Sequence, residues 1–196
     1  MASNANAMRN LTNTEDASAI KQENLQLKMR IAELERLVLT DTLTPLYNRR
    51  HFMDILERWI WRAHRYGENC GMLFIDVDQL KNVNDALGHQ AGDNLLVAIA
   101  EMLKSSVRRS DIVARIGGDE FGILLERVDA ASLPVKAHKI ARAIAKHALH
   151  YDGAEIIPSV SVGFAMIEPN VSCAEILMRA DKAMYANKTA RRAKSV

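Results

Sequence analysis

The chain has 196 residues, a formal net charge of +2, and 48% hydrophobic residues. Its length allows one good hydrophobic core, and so small a charge argues against a nucleic-acid-binding stripe. Two cysteines, Cys70 and Cys173, are too few for a disulfide framework and are interpreted as reduced thiols of a cytoplasmic protein. No apolar stretch approaches the length of a membrane span and no signal peptide is visible, so we expect no membrane segment in this chain.

The N-terminal forty residues divide into a leader and a helix. Residues 1–16 are polar and rich in Asn, Ala, Ser and Thr, and we interpret them as a disordered or vector-derived leader. Residues 17–40 carry a heptad pattern in two interleaved series: Ile20, Leu27 and Leu34, then Asn24, Ile31 and Val38. Such an a/d seam predicts a parallel coiled-coil dimer in which Asn24 fixes the register. Because the seam is short, a helix that packs on its own domain stays an open alternative.

Residues 41–196 are predicted to form one α+β domain. Helical spacing covers residues 49–66, 92–107, 133–148 and 173–187, and strand-like runs cover residues 71–76, 112–116, 120–126 and 156–167. Helices and strands do not alternate strictly along the chain. A doubly wound parallel sheet is therefore less favoured than an α+β arrangement.

Carboxylates begin where the first predicted strand ends, at Asp76 and Asp78. Mg²⁺ takes oxygen ligands and is usually held by one or two carboxylates together with substrate phosphates. Lys81 follows at the start of a helical stretch, where backbone N–H groups, the helix dipole and an ammonium group could bind a phosphate. A calcium-binding EF-hand loop is excluded, because its sixth position is Lys81 instead of glycine and its twelfth is Leu87 instead of glutamate. The chain also lacks the GxxxxGK[ST] pattern of a P-loop.

A second acidic cluster lies in the run Gly117-Gly118-Asp119-Glu120-Phe121, between two apolar stretches. Adjacent glycines between strands predict a tight hairpin turn, because glycine adopts positive φ without steric cost. Taken alone, the run is better explained as a solvated turn whose acids keep a sheet edge soluble. Together with the acids that follow the first predicted strand, it indicates a site for a metal ion and a nucleotide.

Several separated motifs follow one another in the order of a known family: Asp41 to Arg50, Asp76 to Asp93, Gly117 to Phe121, Ser159 to Gly163 and Ala180 to Lys188. Over residues 41–192, the chain resembles the GGDEF domain of bacterial diguanylate cyclases. Pro45, where glycine is usual, and the C-terminal Arg191-Arg192-Ala193 depart from the family pattern. The resemblance implies a palm-like α+β domain of the nucleotidyl cyclase or ferredoxin-like type, with a mostly antiparallel sheet flanked by helices.

The function implied by the resemblance is the condensation of two GTP molecules into cyclic di-GMP with release of two pyrophosphates. Mg²⁺ would be the cofactor, with Mn²⁺ able to replace it, and each chain of a homodimer would hold one GTP. Two alternatives stay open: a catalytically silent domain that binds GTP or cyclic di-GMP, and a dimerising scaffold whose functional part is the coiled coil. The silent domain would be favoured by loss of Asp76, Lys81, Asn84 or Asp119, and all four are present.

The resemblance also assigns roles to single residues. The metal would bind the carboxylates of Asp76 and Asp119 and the backbone carbonyl of Val77. Asp119 would also accept the proton of the attacking hydroxyl, and Glu120 would lie in the metal environment. The phosphates would be bound by five residues: Lys81 through its ammonium, Gln79 and Leu80 through backbone N–H groups, and Lys188 and Arg192 near the C-terminus.

Guanine recognition is assigned by the same resemblance to Asn84 and Asp93, with His89 at a further substrate contact. A carboxylate can accept hydrogen bonds from the N–H groups of guanine, and an amide can donate to an acceptor edge. Outside this motif, His89 would be interpreted more simply as a surface histidine.

Arg108 and Asp111, in RxxD spacing shortly before Gly117, match the inhibitory product-binding site of the family. Arginine suits such a site because its planar fork pairs bidentately with phosphate or guanine edges. On spacing alone, an ordinary charged helix end explains the pair equally well. A second basic residue would come from a nearby helix, and Lys139 and Arg142 are both candidates.

Overall fold

The computed structural model describes residues 20–31, 33–34 and 38–194, with side chains up to Thr189. The predicted leader at residues 1–16 lies outside this part of the chain. The chain divides into two compact units, and the division falls between residues 38 and 39. No helix within the described ranges is both long and apolar enough to cross a membrane.

The first unit contains helix α1, residues 20–31. Its large apolar side chains are exposed, with exposed fractions from 54% at Leu27 to 66% at Met29. The amide of Asn24 donates a hydrogen bond to the carbonyl of Ile20 in the same helix, at 3.1 Å. An amphipathic helix gains most of its stability by burying its apolar face. The coiled coil that would bury these side chains stays a prediction.

The second unit is built on a five-stranded sheet with the strand order β1-β3-β4-β2-β7. Its strands are β1 (Tyr47–Asn48), β2 (Cys70–Val77), β3 (Ile112–Arg115), β4 (Glu120–Glu126) and β7 (Val160–Ile167). Only the β1–β3 pair is parallel among these neighbours, and the other pairs are antiparallel. A separate hairpin consists of β5 (Leu149–Tyr151) and β6 (Ala154–Ile156). The predicted mostly antiparallel sheet is confirmed.

Five helices accompany the sheet: α2 (Arg49–Tyr66), α3 (Leu80–Leu87), α4 (His89–Ser105), α5 (Ser132–Ile144) and α6 (Cys173–Lys194). Local signals set the ends of α2. The side chain of Asn48 accepts from the N–H of His51 at 3.0 Å, and Gly67 ends the helix in the left-handed conformation, with φ of 66°. These caps explain why the predicted bounds of α2 agree with the structure.

The sheet carries a hydrophobic core on each face. Because side chains alternate along a strand, Leu73 and Ile75 of β2 point to one face, and Met72 and Phe74 point to the other. The first face packs against α4 and α5, and the second packs against α2 and α6. Helices flank the sheet as predicted, and the single acid of β2, Asp76, lies near its C-terminal end.

Several predicted elements are wrong in extent. The helix predicted over residues 173–187 continues to Lys194, and the helix predicted over residues 92–107 spans His89–Ser105. The helix predicted to reach residue 148 ends at Ile144, and the chain then enters β5. The strand predicted over residues 156–167 is divided between β6 and β7, because Pro158 has no N–H group for a strand ladder. Asp152 and Gly153, with φ of 48° and 78°, form the turn between β5 and β6. Positive φ at both residues is typical of two-residue hairpin turns.

Candidate active site

The two acidic clusters meet at the C-terminal end of β2. The strand register places Asp76 directly opposite Glu120 on β4. One residue further, the N–H of Val77 donates to the carbonyl of Asp119 at 2.9 Å. Side chains directly opposite each other on an antiparallel pair lie within contact distance. The structure thus brings together Asp76, Val77, Asp119 and Glu120, four residues predicted for the metal site.

Negative charge is concentrated at this meeting point. Burial raises the pKa of Asp76 above its usual value, and the neighbouring Asp119 and Asp78 raise it further, whereas Lys188 opposes them. Burial likewise raises the pKa of Glu120, with Asp119 and Asp76 adding to the effect. Carboxylates that share a site repel each other in their ionised forms. A bound cation would relieve this repulsion.

The donors at this point suit a hard cation. Carboxylate oxygens and the backbone carbonyl of Val77 are the predicted ligands, and Mg²⁺ prefers oxygen ligands. Within the described residues, no group of three or more His, Cys, Asp or Glu side chains converges as a metal cluster. Mg²⁺ keeps few protein carboxylates and completes its octahedron with water and phosphate. The residues present therefore fit an Mg²⁺ ion held jointly by protein and substrate.

Lys188 reaches the acids from α6. Its ammonium forms an ion pair with Oδ1 of Asp76 and lies 4.0 Å from Oδ1 of Asp78. The side chain of Lys188 is 22% exposed, so one side of the pair faces solvent. The phosphate contact predicted for Lys188 stays a prediction. The backbone of Arg192 lies within α6, but its side chain is not among those that the structure describes.

Asp78 links the acidic end of β2 to β7, a role that the sequence analysis did not assign. Its carboxylate accepts hydrogen bonds from the hydroxyls of Ser159 at 2.7 Å and Ser161 at 2.8 Å. Its own N–H donates to the carbonyl of Ser159 at 2.9 Å. The alternating serines of the Ser159 to Gly163 motif were visible in the sequence, but nothing local indicated their partner.

The loop between β2 and α3 carries residues that are predicted to bind phosphate. Gln79 adopts the left-handed conformation, with φ of 60°, which is uncommon for a residue other than glycine. It precedes α3 without making a side-chain capping bond, so the first-turn N–H groups of the helix are left for another acceptor. Lys81, an exposed residue, lies in that first turn. Gln79, Leu80 and Lys81 thus occupy the place expected of a phosphate loop.

The side chain of Asn84 lies against α4. A Cβ atom on Gly92 would come within 1.9 Å of its Oδ1 atom, so only glycine leaves room there. That oxygen is buried and has no hydrogen-bond partner among the described residues. A buried polar atom without a partner is costly unless a ligand satisfies it. Asp93 follows Gly92 directly on α4, one residue from the point where Asn84 packs, and His89 is exposed at the start of α4.

The turn that carries Asp119 differs from the prediction. The N–H groups of Ile116 and Gly117 both donate to the carbonyl of Glu120, at 2.9 Å and 3.2 Å. Neither glycine adopts positive φ, so the predicted reason for the glycine pair is wrong. At Gly117 the reason is space, because a Cβ atom would lie 2.2 Å from Oε2 of Glu120. At Gly118 nothing lies within 4 Å, and the position is open for the close approach of a ligand.

Two arginines that the sequence analysis missed hold this turn. Arg49 donates to the carbonyl of Ile116 at 2.8 Å, and Arg115 donates to that of Gly118 at 2.7 Å. Arg115 also forms an ion pair with Asp41 at 3.3 Å. These bonds fix both sides of the turn that presents Asp119. The arginines were visible in the sequence, but their acceptors are backbone carbonyls that only the fold defines.

Arg108 and Asp111 lie at the opposite end of the sheet. Asp111 is buried and accepts from the N–H groups of Arg108 at 2.9 Å and Glu126 at 3.1 Å. Its carboxylate therefore has a structural role. A cavity of about 570 Å³ includes the exposed Arg108 together with Asp111 in its lining. Ser105 and Val107 line this cavity and also a second one that includes Lys139, whereas Arg142 lines a cavity elsewhere, between α5 and β7.

Comparison with known proteins agrees with the resemblance. The chain matches the family described as "Diguanylate cyclase, GGDEF domain" over residues 38–194. It is similar to "Diguanylate cyclase A" of Treponema denticola, with 33% identity over 161 residues that cover 80% of this chain and 43% of that protein. It is also similar to "Cyclic di-GMP phosphodiesterase NbdA" of Pseudomonas aeruginosa, with 32% identity over 83% of this chain and 21% of that protein. The chain thus spans less than half the length of these two relatives.

A solved structure gives the same result for the fold. The coiled coil and GGDEF domain of DgcB from Caulobacter crescentus, in complex with c-di-GMP, aligns with a TM-score of 0.81 and 28% sequence identity. The alignment covers 88% of this chain and 92% of that one. The family match extends over most of the chain and includes both acidic clusters. The chain therefore belongs to the GGDEF-domain family.

Proposed function

We propose that this chain is a diguanylate cyclase domain that condenses two GTP molecules into cyclic di-GMP and two pyrophosphates. The 3′-hydroxyl of each GTP attacks the α-phosphorus of the other, a P–O bond forms, and the bond to the β-phosphate breaks as pyrophosphate leaves. The observation that carries the proposal is the meeting of Asp76 with Glu120 and the Asp119 turn. Asp76 and Glu120 of this cluster have raised pKa values, and the cluster is suited to bind the metal complex of a nucleotide.

Mg²⁺ is the proposed cofactor, with Mn²⁺ as its replacement. Asp76, Asp119 and the carbonyl of Val77 would hold it, with Glu120 beside them. Such an ion neutralises phosphate charge and polarises the reacting phosphoryl group. Support comes from the oxygen-only donor set and from the raised pKa values of Asp76 and Glu120, which burial causes and neighbouring acids increase.

The protein's own groups would orient the triphosphate and accept a proton. Asp119 would take the proton of the attacking hydroxyl, and the bonds from Arg49 and Arg115 hold the turn that presents it. Lys81 and Lys188 bind the phosphates as ammonium groups, joined by backbone N–H groups around Gln79 and Leu80. Arg192 would contribute one turn after Lys188. Such positioning supplies a large part of the catalysis of phosphoryl-type transfer.

Guanine would be recognised between α3 and α4. Asn84 and Asp93 offer an amide and a carboxylate to its hydrogen-bonding edges, with His89 at the rim. Support comes from the buried Oδ1 of Asn84, which gains a partner when a donor of the base arrives. Adenine would leave these groups unpaired, so discrimination between the two bases should be large.

One chain would bind only one of the two GTP molecules that react. The 3′-hydroxyl and the α-phosphate belong to different GTP molecules, so we propose a homodimer in which two sites face each other. The proposed organisation is a leader at residues 1–16, a dimerising helix at 17–40 and a catalytic domain at 41–196. The exposed apolar side chains of α1 support the dimerising role.

The direct test uses purified chain with GTP and Mg²⁺, with separated products and a measured solution mass. We expect cyclic di-GMP and pyrophosphate from wild type and a loss of at least about 100-fold in Asp119→Ala, the scale of removing one key catalytic group. Asp85→Ala, an exposed acid on α3, is the matched control and should keep its rate. Undiminished turnover in Asp119→Ala would refute the role of that residue. GTP binding without any pyrophosphate release by wild type would support the silent binding domain instead.

The cavity around Arg108 is the proposed inhibitory site for cyclic di-GMP. Arg108→Ala should relieve product inhibition, because its guanidinium is the group that pairs with phosphate or guanine. Lys139→Ala should weaken product inhibition more than Arg142→Ala. Lys139 lines a cavity that shares Ser105 and Val107 with the Arg108 cavity, whereas Arg142 lines neither of the two. Initial rates at increasing cyclic di-GMP measure both effects. Unchanged inhibition in Arg108→Ala would remove this proposal.

A further inference from the structure

Asn187 connects α6 to β7 immediately before Lys188. Its side-chain amide donates to the carbonyl of Val162 at 2.9 Å. β7 is the edge strand of the five-stranded sheet, where carbonyl groups can lack a neighbouring strand as partner. The Asn187 amide therefore fastens the helix to a defined point of the strand.

Apolar packing of α6 ends before this point. Its buried side chains, Ile176, Ala180 and Met184, are spaced four residues apart, and the next position in that series is Lys188. Beyond Met184, the described polar contacts from α6 to the strands are those of Asn187 and Lys188. The turn of α6 that follows Met184 is thus held by polar contacts, whereas the turns before it are held by buried apolar side chains.

The preceding turn of α6 is seated very closely on β7. A Cβ atom on Gly163 would lie 2.0 Å from the carbonyl oxygen of Ala180 and 2.2 Å from the nitrogen of Met184. The helix backbone therefore rests directly on the strand up to Met184. The hydrogen bond of Asn187 to Val162 extends the attachment of α6 to β7 by about one turn, as far as the residue before Lys188.

We propose that Asn187 is a positioning residue, which fixes the turn of α6 that follows Met184 so that the Lys188 ammonium stays at Asp76 and meets the substrate phosphates there. This inference rests on the proposed function of the site. Lys188 would bind phosphate equally in the ground state and the transition state. Weaker positioning should then raise KM for GTP and leave kcat nearly unchanged.

The expected change is moderate. Loss of one hydrogen bond that orients a charged group should raise KM of Asn187→Ala about three- to tenfold. Alanine is a better helix former than asparagine, so the melting temperature should stay the same or rise. A merely structural role would lower the melting temperature instead. Lys182→Ala, an exposed change on the same helix, is the matched control and should keep both values.

A double-mutant cycle separates positioning from other effects. GTP binding in the presence of Mg²⁺ is measured for wild type, Asn187→Ala, Lys188→Ala and the double variant. We expect Asn187→Ala to weaken binding about fivefold in the wild-type background and less than about 1.5-fold when Lys188 is absent, because coupled residues are not additive. Equal effects in both backgrounds, or no effect in either, would overturn the inference.

The same samples distinguish this inference from the proposed function. If wild type binds GTP but forms no cyclic di-GMP, the proposed function fails while the binding cycle still decides the role of Asn187. If wild type forms cyclic di-GMP and the cycle shows no coupling, only the inference fails. A wild-type chain that binds no GTP would overturn both.

Discussion

Strand β4 begins with Glu120 and ends with Glu126, and the two glutamates have opposite surroundings. Glu126 forms an ion pair with Arg62 at 2.9 Å, and its N–H donates to Asp111. Glu120 lies among acids, directly opposite Asp76 and next to Asp119. Burial and these neighbours raise the pKa of Glu120, and Arg49 only partly opposes them.

The difference shows how one strand serves structure at one end and chemistry at the other. Acids at the Glu126 end have partners from the protein, so they hold β4 to α2 and to the turn before β3. At the Glu120 end, Asp76 pairs with Lys188, whereas Glu120 has acidic neighbours that repel its charge and would be stabilised by a ligand. Proteins often accept such local instability where they bind or react with a ligand.

The largest expected contrast is between Asp76→Asn and Asp111→Asn. Asp76→Asn should lower the rate of pyrophosphate release at least about 100-fold, because a metal ion contributes several kcal/mol of charge stabilisation. Asp111→Asn should instead lower the free energy of unfolding by about 1–3 kcal/mol, because an amide nitrogen would face one of two N–H donors. Turnover assays and denaturant unfolding measure the two effects.

One result would contradict the expected contrast between Asp76→Asn and Asp111→Asn. If Asp76→Asn destabilises the fold as strongly as Asp111→Asn while keeping its rate, the acidic end of β2 is structural. Product inhibition is removed from the comparison by measuring initial rates before cyclic di-GMP accumulates.

A smaller contrast is expected between Glu120→Gln and Glu126→Gln without metal. Glu120→Gln should raise the free energy of unfolding, since it removes a charge from a cluster of like charges. Glu126→Gln should lower it, since it breaks the ion pair with Arg62. Each change should be less than about 1 kcal/mol, because both side chains are partly exposed and water screens their charges. Changes of the same sign in the two variants would contradict the comparison.

The smallest expected effect is the pH dependence of the stability difference between Glu120→Gln and wild type. The pKa of Glu120 is raised above 4.5 in the folded chain, so the folded state binds this proton more tightly than the unfolded state. The stability that Glu120 contributes is therefore fully present below its unfolded-state pKa, and it is lost as the pH rises through the higher folded-state pKa. The stability difference between Glu120→Gln and wild type should grow over that window. Unfolding at a series of pH values measures it, and a constant difference would contradict the shift.

Asp41 should show the opposite sign. Burial alone would raise its pKa, but hydrogen bonds from Thr44 and the Arg115 guanidinium lower it below 3.8. The stability that Asp41 contributes is therefore present above its unfolded-state pKa of 3.8, and it is lost as the pH falls through the lower folded-state pKa. Asp41→Asn should therefore destabilise the chain at neutral pH and much less in acid.

Local signals made several elements predictable. α2 was predicted with the bounds it has, because Asn48 and Gly67 mark its ends within a few residues of sequence. β4 was also predicted correctly, since apolar residues follow the Asp119–Glu120 turn without a break. The strand predicted through Pro158 failed, although the Asp152-Gly153 pair carried a hairpin signal.

Contacts between distant residues were not predictable in this way. The bond from Ser161 to Asp78 joins strands far apart in the chain, and the bonds from Arg49 and Arg115 end on backbone carbonyls. Gly117 was assigned to positive φ, whereas its lack of a side chain makes room for Glu120. Each of these depends on strand register and turn shape.

The sequence by itself determined the kinds of residues at the site, the order of the elements and the family, because spacing and composition are local properties of the chain. The tertiary structure decided which acids have partners. β2 and β4 had to pair in one register before Asp76 could lie opposite Glu120, and α6 had to rest on β7 before Lys188 could reach Asp76. Burial and distance control electrostatic energy, and both exist only once the chain is folded.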